Sequence, residues 1–117
     1  MGVIGAHALL YSSEPEALRA VLRDVFGWRH VDAGGGWLIF ALPPSEIAVH
    51  PTAGGGNVEL YFMCEDINVF VDQMRTHGLH CSGVSDEGWG LVTELTLPGG
   101  GAIGIYQPRH PRPKPMM

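Results

Sequence analysis

Apolar and polar positions along this chain follow two periods, and the switches between them mark its elements. Residues 3–11 are apolar except for His7, the pattern of a strand buried on both sides or nearly so. Ser13-Glu14-Pro15-Glu16 then reads as a capping box, with Ser13 accepting from the N3 amide, Glu16 reaching back, and Pro15 harmless in the first turn. Leu18, Val21, Leu22 and Val25 recur at helical spacing, and Gly27 stops that helix. Short strands are predicted over 28–31, 37–42 and 46–50, separated by the glycine turn 32–36 and by Pro43-Pro44-Ser45. Residues 51–57, with Gly54-Gly55-Gly56, form a linker. The order then repeats. A strand over 58–64 leads to a helix capped by Asp66, striped by Ile67, Phe70, Val71 and Met74, and ended at Gly78 with His77 in its last turn. Strands over 79–84, 89–97 and 102–107 complete the second half.

The repetition has a fixed offset of 52 residues: His7 is matched by Glu59, Glu14 by Asp66, Leu18 by Phe70, Gly36 by Gly88 and Trp37 by Trp89. Gly27 and Gly78 fall one residue out of step. Two copies make a paired module rather than a solenoid, which needs about three repeats to bury its core. Each half is strand–helix–strand–strand–strand. Two helices are too few to cover both faces of eight strands, so the class is α+β with a face left concave or paired. A doubled unit builds its cleft from equivalent strand positions, and the matched pair able to bind metal or move a proton is His7 with Glu59.

At 117 residues, with 45% hydrophobic and 16% charged residues, the chain has the balance of one globular domain. A formal charge of −5 argues against a nucleic-acid partner, and no apolar run approaches the roughly 18 residues of a membrane span. The one basic cluster, residues 109–114, is interleaved with prolines and reads as an extended, solvated tail. Cys64 and Cys81 lie in apolar stretches as free thiols, so a cytoplasmic location is expected. The triple glycines at 34–36, 54–56 and 99–101 open no helix after a strand and read as turns.

Three segments carry a family resemblance. They are Gly5-Ala6-His7-Ala8-Leu9-Leu10-Tyr11 with the helix ending Val25-Phe26-Gly27-Trp28, then Glu59-Leu60-Tyr61-Phe62-Met63-Cys64-Glu65-Asp66-Ile67, and Leu97-Pro98-Gly99-Gly100-Gly101 before Ile103-Gly104-Ile105-Tyr106-Gln107-Pro108. The chain resembles the vicinal oxygen chelate superfamily, the group of glyoxalase I, bleomycin and fosfomycin resistance proteins, methylmalonyl-CoA epimerase and extradiol dioxygenases. The resemblance implies a domain over 1–108 in which two βαβββ modules, 1–51 and 57–108, wrap a half-barrel around one divalent metal. It also implies a homodimer, and it leaves 109–117 as a tail.

Carried over by position, the resemblance gives His7 and Glu59 as metal ligands, suited to iron(II), manganese, zinc or nickel. The remaining ligand positions fall on Ile47 and Gly104, which have no donor side chain. His50 and Glu46 have the wrong strand parity to replace Ile47, whereas Tyr106 shares the parity of Gly104. A metal on two side chains would be weakly held. Without metal, Glu59 and His7 form a catalytic acid–base dyad. Tyr11, Tyr61, Met63 and Tyr106 would line an apolar, partly aromatic substrate pocket. The sequence thus points to a glyoxalase- or extradiol-dioxygenase-like enzyme acting on a small oxygenated molecule, metal-dependent or not. The alternative is a metal-free small-molecule binding protein of the drug-sequestering kind, in which case the same cleft simply holds an aromatic ligand.

Overall fold

The computed structural model describes residues 2 and 4–115. Helix α1 (Pro15–Ala20) runs into one wide π turn (Val21–Val25), followed by strands β1 (His30–Asp32) and β2 (Leu38–Phe40). The second half is β3 (Tyr61–Met63), α2 (Ile67–Thr76), β4 (Ser85–Asp86), β5 (Gly90–Thr96) and β6 (Ala102–Pro108). These last four strands form one sheet in the order β3-β6-β5-β4, with β3 parallel to β6 and the other pairs antiparallel. An isolated bridge, Cys81 to Leu95, lies beside β5 one residue out of register with the β4 pairing. The second half thus holds a strand, a helix and three further strands, but the first of those three lies at Ser85–Asp86 and not over the predicted 79–84, where Cys81 makes an isolated bridge.

Helix α2 starts where the sequence places it, because the Asp66 carboxylate accepts from the amides of Asn68 (3.0 Å) and Val69 (3.2 Å). It stops at Gly78, and the first helix stops at Gly27, both with positive φ (74° and 70°). Helix α1 departs from its predicted capping box. Glu14 is the N-cap and makes no side-chain cap bond. Ser12 Oγ accepts from the Glu14 amide and donates to the Pro98 carbonyl at 2.7 Å, while Ser13 Oγ donates to the Gly99 carbonyl. Both serines are thus spent tying the helix start to the β5–β6 turn.

The core lies between the helices and one face of the four-stranded sheet. Leu18 of α1 and Ile67 and Met74 of α2 pack with Leu95, Leu97, Ile103 and Ile105. Each fully buried aliphatic side chain there contributes about 1.5–3 kcal/mol by leaving water. Thr93, buried in the same layer, donates to the Ser82 carbonyl at 2.7 Å, so its hydroxyl is satisfied.

The first half is open by comparison. Strands β1 and β2 form a two-stranded antiparallel ribbon, but of the strand predicted over 3–11, whose Val3 lies outside the described residues, and of the segment 44–60, no part pairs with a strand among the described residues. Ile4, Ile47, Val49 and Val58 are 94% or more exposed. The accessible surface is 8881 Å², against roughly 6200 Å² for a compact monomer of this mass. The radius of gyration is 15.4 Å, where a compact chain of this length would have about 13 Å. An apolar alternating segment gains a strand's hydrogen bonds only beside a neighbour, and neither segment has one here.

Candidate functional site

The face of the four-stranded sheet turned away from α2 is open. Cross-strand partners share a face, so the register places Tyr61, Gly104 and Glu94 in one row, and Met63, Tyr106, Val92 and Ser85 in the next. The intervening residues Phe62, Ile105 and Thr93 point the other way, toward the helices.

Two glycines make room for the tyrosines on this face. A Cβ at Gly104 would run into the Tyr61 ring at Cδ1 and Cε1, and a Cβ at Gly90 would lie 2.8 Å from Tyr106 Cδ2. Each tyrosine therefore lies flat over a glycine of the adjacent strand. Trp89 completes the group. The three rings meet edge to face, at 5.1 Å for Trp89–Tyr106, 5.7 Å for Tyr61–Tyr106 and 6.1 Å for Tyr61–Trp89. Tyr61 and Trp89 keep 39% and 43% of their surface exposed, so the cluster is an accessible surface as well as a packing unit.

Charge surrounds it unevenly. Burial, followed by the neighbouring Glu59 carboxylate, pushes the Tyr61 phenol above its ordinary range, and Glu94 and Glu87 push the same way. Burial and the charge of Glu46 raise Tyr106, with Arg112 opposing. The tail, predicted as solvated, is exposed but anchored at this end of the sheet. Arg109 pairs with Asp86 at 2.8 Å, and Arg112 pairs with Glu46 at 2.6 Å. The Gly88 amide and then Arg109 hold the Asp86 carboxyl below the usual range. His110 Nδ1 lies 2.8 Å from the Pro111 carbonyl, which only accepts, so that nitrogen carries the proton. Nε2 is then free to accept from the Tyr106 hydroxyl at 3.0 Å. A hollow of about 370 Å³ opens beside this strap, among Met63, Cys64, Glu65, Gln107, His110 and Arg112. Burial, then the charge of Asp66, pushes the Cys64 thiol up to about 11.

Tyr61, Met63 and Tyr106 thus share one face, and Glu59 adjoins Tyr61. His7 lies elsewhere in the chain. It lines a separate cleft of about 430 Å³ between the amino-terminal segment, α1 and the β1–β2 ribbon, where Leu60 and Phe62 also face. Glu59 does not line that cleft. Tyr11 is 88% exposed and joins none of the ring pairs. Trp37, the repeat partner of Trp89, stands over the Arg19 guanidinium at 5.2 Å. Sequence reasoning did not single out Glu94, whose parity with Val92 and Thr96 was visible but whose pairing opposite Gly104 was not.

The divalent metal that the sequence resemblance implies does not fit this arrangement within one chain. Among the described residues no three His, Cys, Asp or Glu side chains converge as a metal-holding group. The expected fourth ligand position, Gly104, is covered by the Tyr61 ring.

No family model and no curated protein matches the chain. Solved structures do. An antibiotic binding protein, TnmS3 from Streptomyces sp. CB03234, superposes with a TM-score of 0.67 at 19% identity, over 92% of this chain and 98% of that one. Lactoylglutathione lyase from Agrobacterium tumefaciens gives 0.58 at 16% identity, over 92% and 94%. The fosfomycin resistance protein FosX from Mesorhizobium loti gives 0.50 at 13% identity, over 88% and 93%. At these identities the likeness is one of fold.

Proposed function

We propose that this chain, which has the vicinal oxygen chelate fold shared by those three proteins, is a small-molecule binding protein whose ligand rests on the open aromatic face of β3, β6 and β5. The observation that carries this reading is the Tyr61 ring lying over Gly104, with Trp89 and Tyr106 packed beside it. An accessible aromatic surface with polar groups at its edges suits an organic ligand. TnmS3, by its description an antibiotic binding protein, is in keeping with that role. Titration with small aromatic compounds, followed by tryptophan fluorescence, tests it. Saturable quenching should be lost in Tyr61→Ala and in Trp89→Phe but kept in Trp37→Phe; quenching that follows Trp37 instead would contradict it.

The working unit in this reading is a homodimer. The exposed surface beyond a compact monomer is about 2700 Å², the order of area that obligate dimers bury. Ile4, Leu9, Ile47, Val49 and Val58 are exposed on segments that lack a strand partner among the described residues. A second copy also bears on the enzymatic alternative, in which His7 and Glu59 act together through a metal or by proton transfer. His7 lines the cleft beside α1 while Glu59 adjoins Tyr61, so in this alternative the partner copy would bring its imidazole to Glu59. Sedimentation equilibrium should give twice 12.6 kDa, and a monomer at micromolar concentration would contradict the dimer.

A further inference from the structure

The same open face carries information on the charge of its ligand, an inference that rests on the small-molecule reading above. We propose that the ligand is an organic cation, a quaternary or protonated amine carried on an apolar or aromatic frame. Three features point the same way. The exposed surface of Tyr61 and Trp89 presents aromatic π-systems, whose faces are negative and attract cations more than neutral or anionic groups of equal size. The carboxylates of Glu59 and Glu94 flank Tyr61 closely enough to raise its phenol, and neither forms an ion pair among the described residues. The basic groups nearest the face are already spent, Arg112 on Glu46 and Arg109 on Asp86, and the His110 ring nitrogens are both engaged in hydrogen bonds.

The carboxylates taken alone are ordinary surface charges on a sheet. Placed beside an exposed aromatic cluster whose neighbouring Arg109 and Arg112 are already paired, they turn that cluster into a surface complementary to positive charge. Glu94 has a particular part in this. It stands directly across from Gly104, over which the Tyr61 ring lies. With the Tyr61 ring between Glu94 on one side and Glu59, just before β3, on the other, a cation resting on the ring would have a carboxylate to either side.

Three probes of matched size and different charge test this: 1-methylquinolinium, 1-methylnaphthalene and 1-naphthoate, titrated into the full chain with tryptophan fluorescence as readout. The cation should bind at least about tenfold more tightly than the neutral compound, and 1-naphthoate most weakly. The double variant Glu59→Gln/Glu94→Gln should lose about tenfold in cation affinity and leave the neutral probe unchanged. Raising the salt concentration should weaken the cation alone. Neutral or anionic probes that bind as tightly as the cation overturn the charge inference while leaving the small-molecule site in place. No saturable binding of any probe overturns the proposed function and this inference together.

Discussion

Adding one methyl group at position 104 tests whether Gly104 is kept clear for the Tyr61 ring. In Gly104→Ala the new Cβ would overlap Cδ1 and Cε1 of Tyr61 and lie 3.3 Å from its Cγ. The atoms in the way belong to a side chain that is 39% exposed, so the ring swings out and the sheet stays closed. Swinging out forfeits two edge-to-face pairs, with Trp89 and with Tyr106. At about 0.5–1.5 kcal/mol each, their loss should destabilise the protein by about 1–3 kcal/mol. Urea unfolding followed by far-UV circular dichroism should show this as a lower midpoint with an unchanged slope. A companion thermal scan should show a fall of roughly 4 °C per kcal/mol. In a Tyr61→Ala background the same substitution should cost nothing, since alanine in a strand is otherwise no worse than glycine. An equal cost with and without the Tyr61 ring would refute the reasoning.

Ile105→Ala removes a fully buried side chain from the helix-side layer and should cost about 2–5 kcal/mol in urea unfolding, far more than Val49→Ala on an exposed segment. Asp66→Ala leaves the amides of Asn68 and Val69 without their acceptor and should cost about 1 kcal/mol, with faster amide exchange confined to the first turn of α2. The Cys64 thiol is raised from 9.0 to about 11 by burial, so the folded state holds its proton more tightly than the unfolded chain. Its contribution is complete below pH 9 and fades as pH climbs toward 11. Stability measured across that window should decline less steeply in Cys64→Ala than in the parent.

Much of the second half was legible because its determinants are local. Asp66 before an apolar stripe and Gly78 after it fix α2 without reference to the rest of the chain. Alternation from Glu59 through Tyr61 to Met63 put those groups on one face before any register was known. What the sequence hid was long-range. Ser12 and Ser13 are claimed by the carbonyls of Pro98 and Gly99, 86 residues away, so a local capping box is lost. The π turn over Val21–Val25, closed by Phe26 donating to the Val21 carbonyl at 3.0 Å, leaves no mark in a 3.6-residue period. Residues 4–11 and 46–50 carry strand-like patterns that state what the segments can bury, without naming a neighbour. Glu94 shows the same limit at the site, since its place opposite Gly104 depends on the register set by the turn over 98–101.

In the proposed function, a ligand rests on the face bearing Tyr61, Glu94 and Gly104. Amide chemical shifts of isotopically labelled protein, recorded while 1-methylquinolinium is added, test it most directly. Saturable shifts should cluster at Tyr61, Glu94, Gly104 and Tyr106. Shifts confined to His7, Trp37 and Leu38, around the cleft on the helix side, would contradict it.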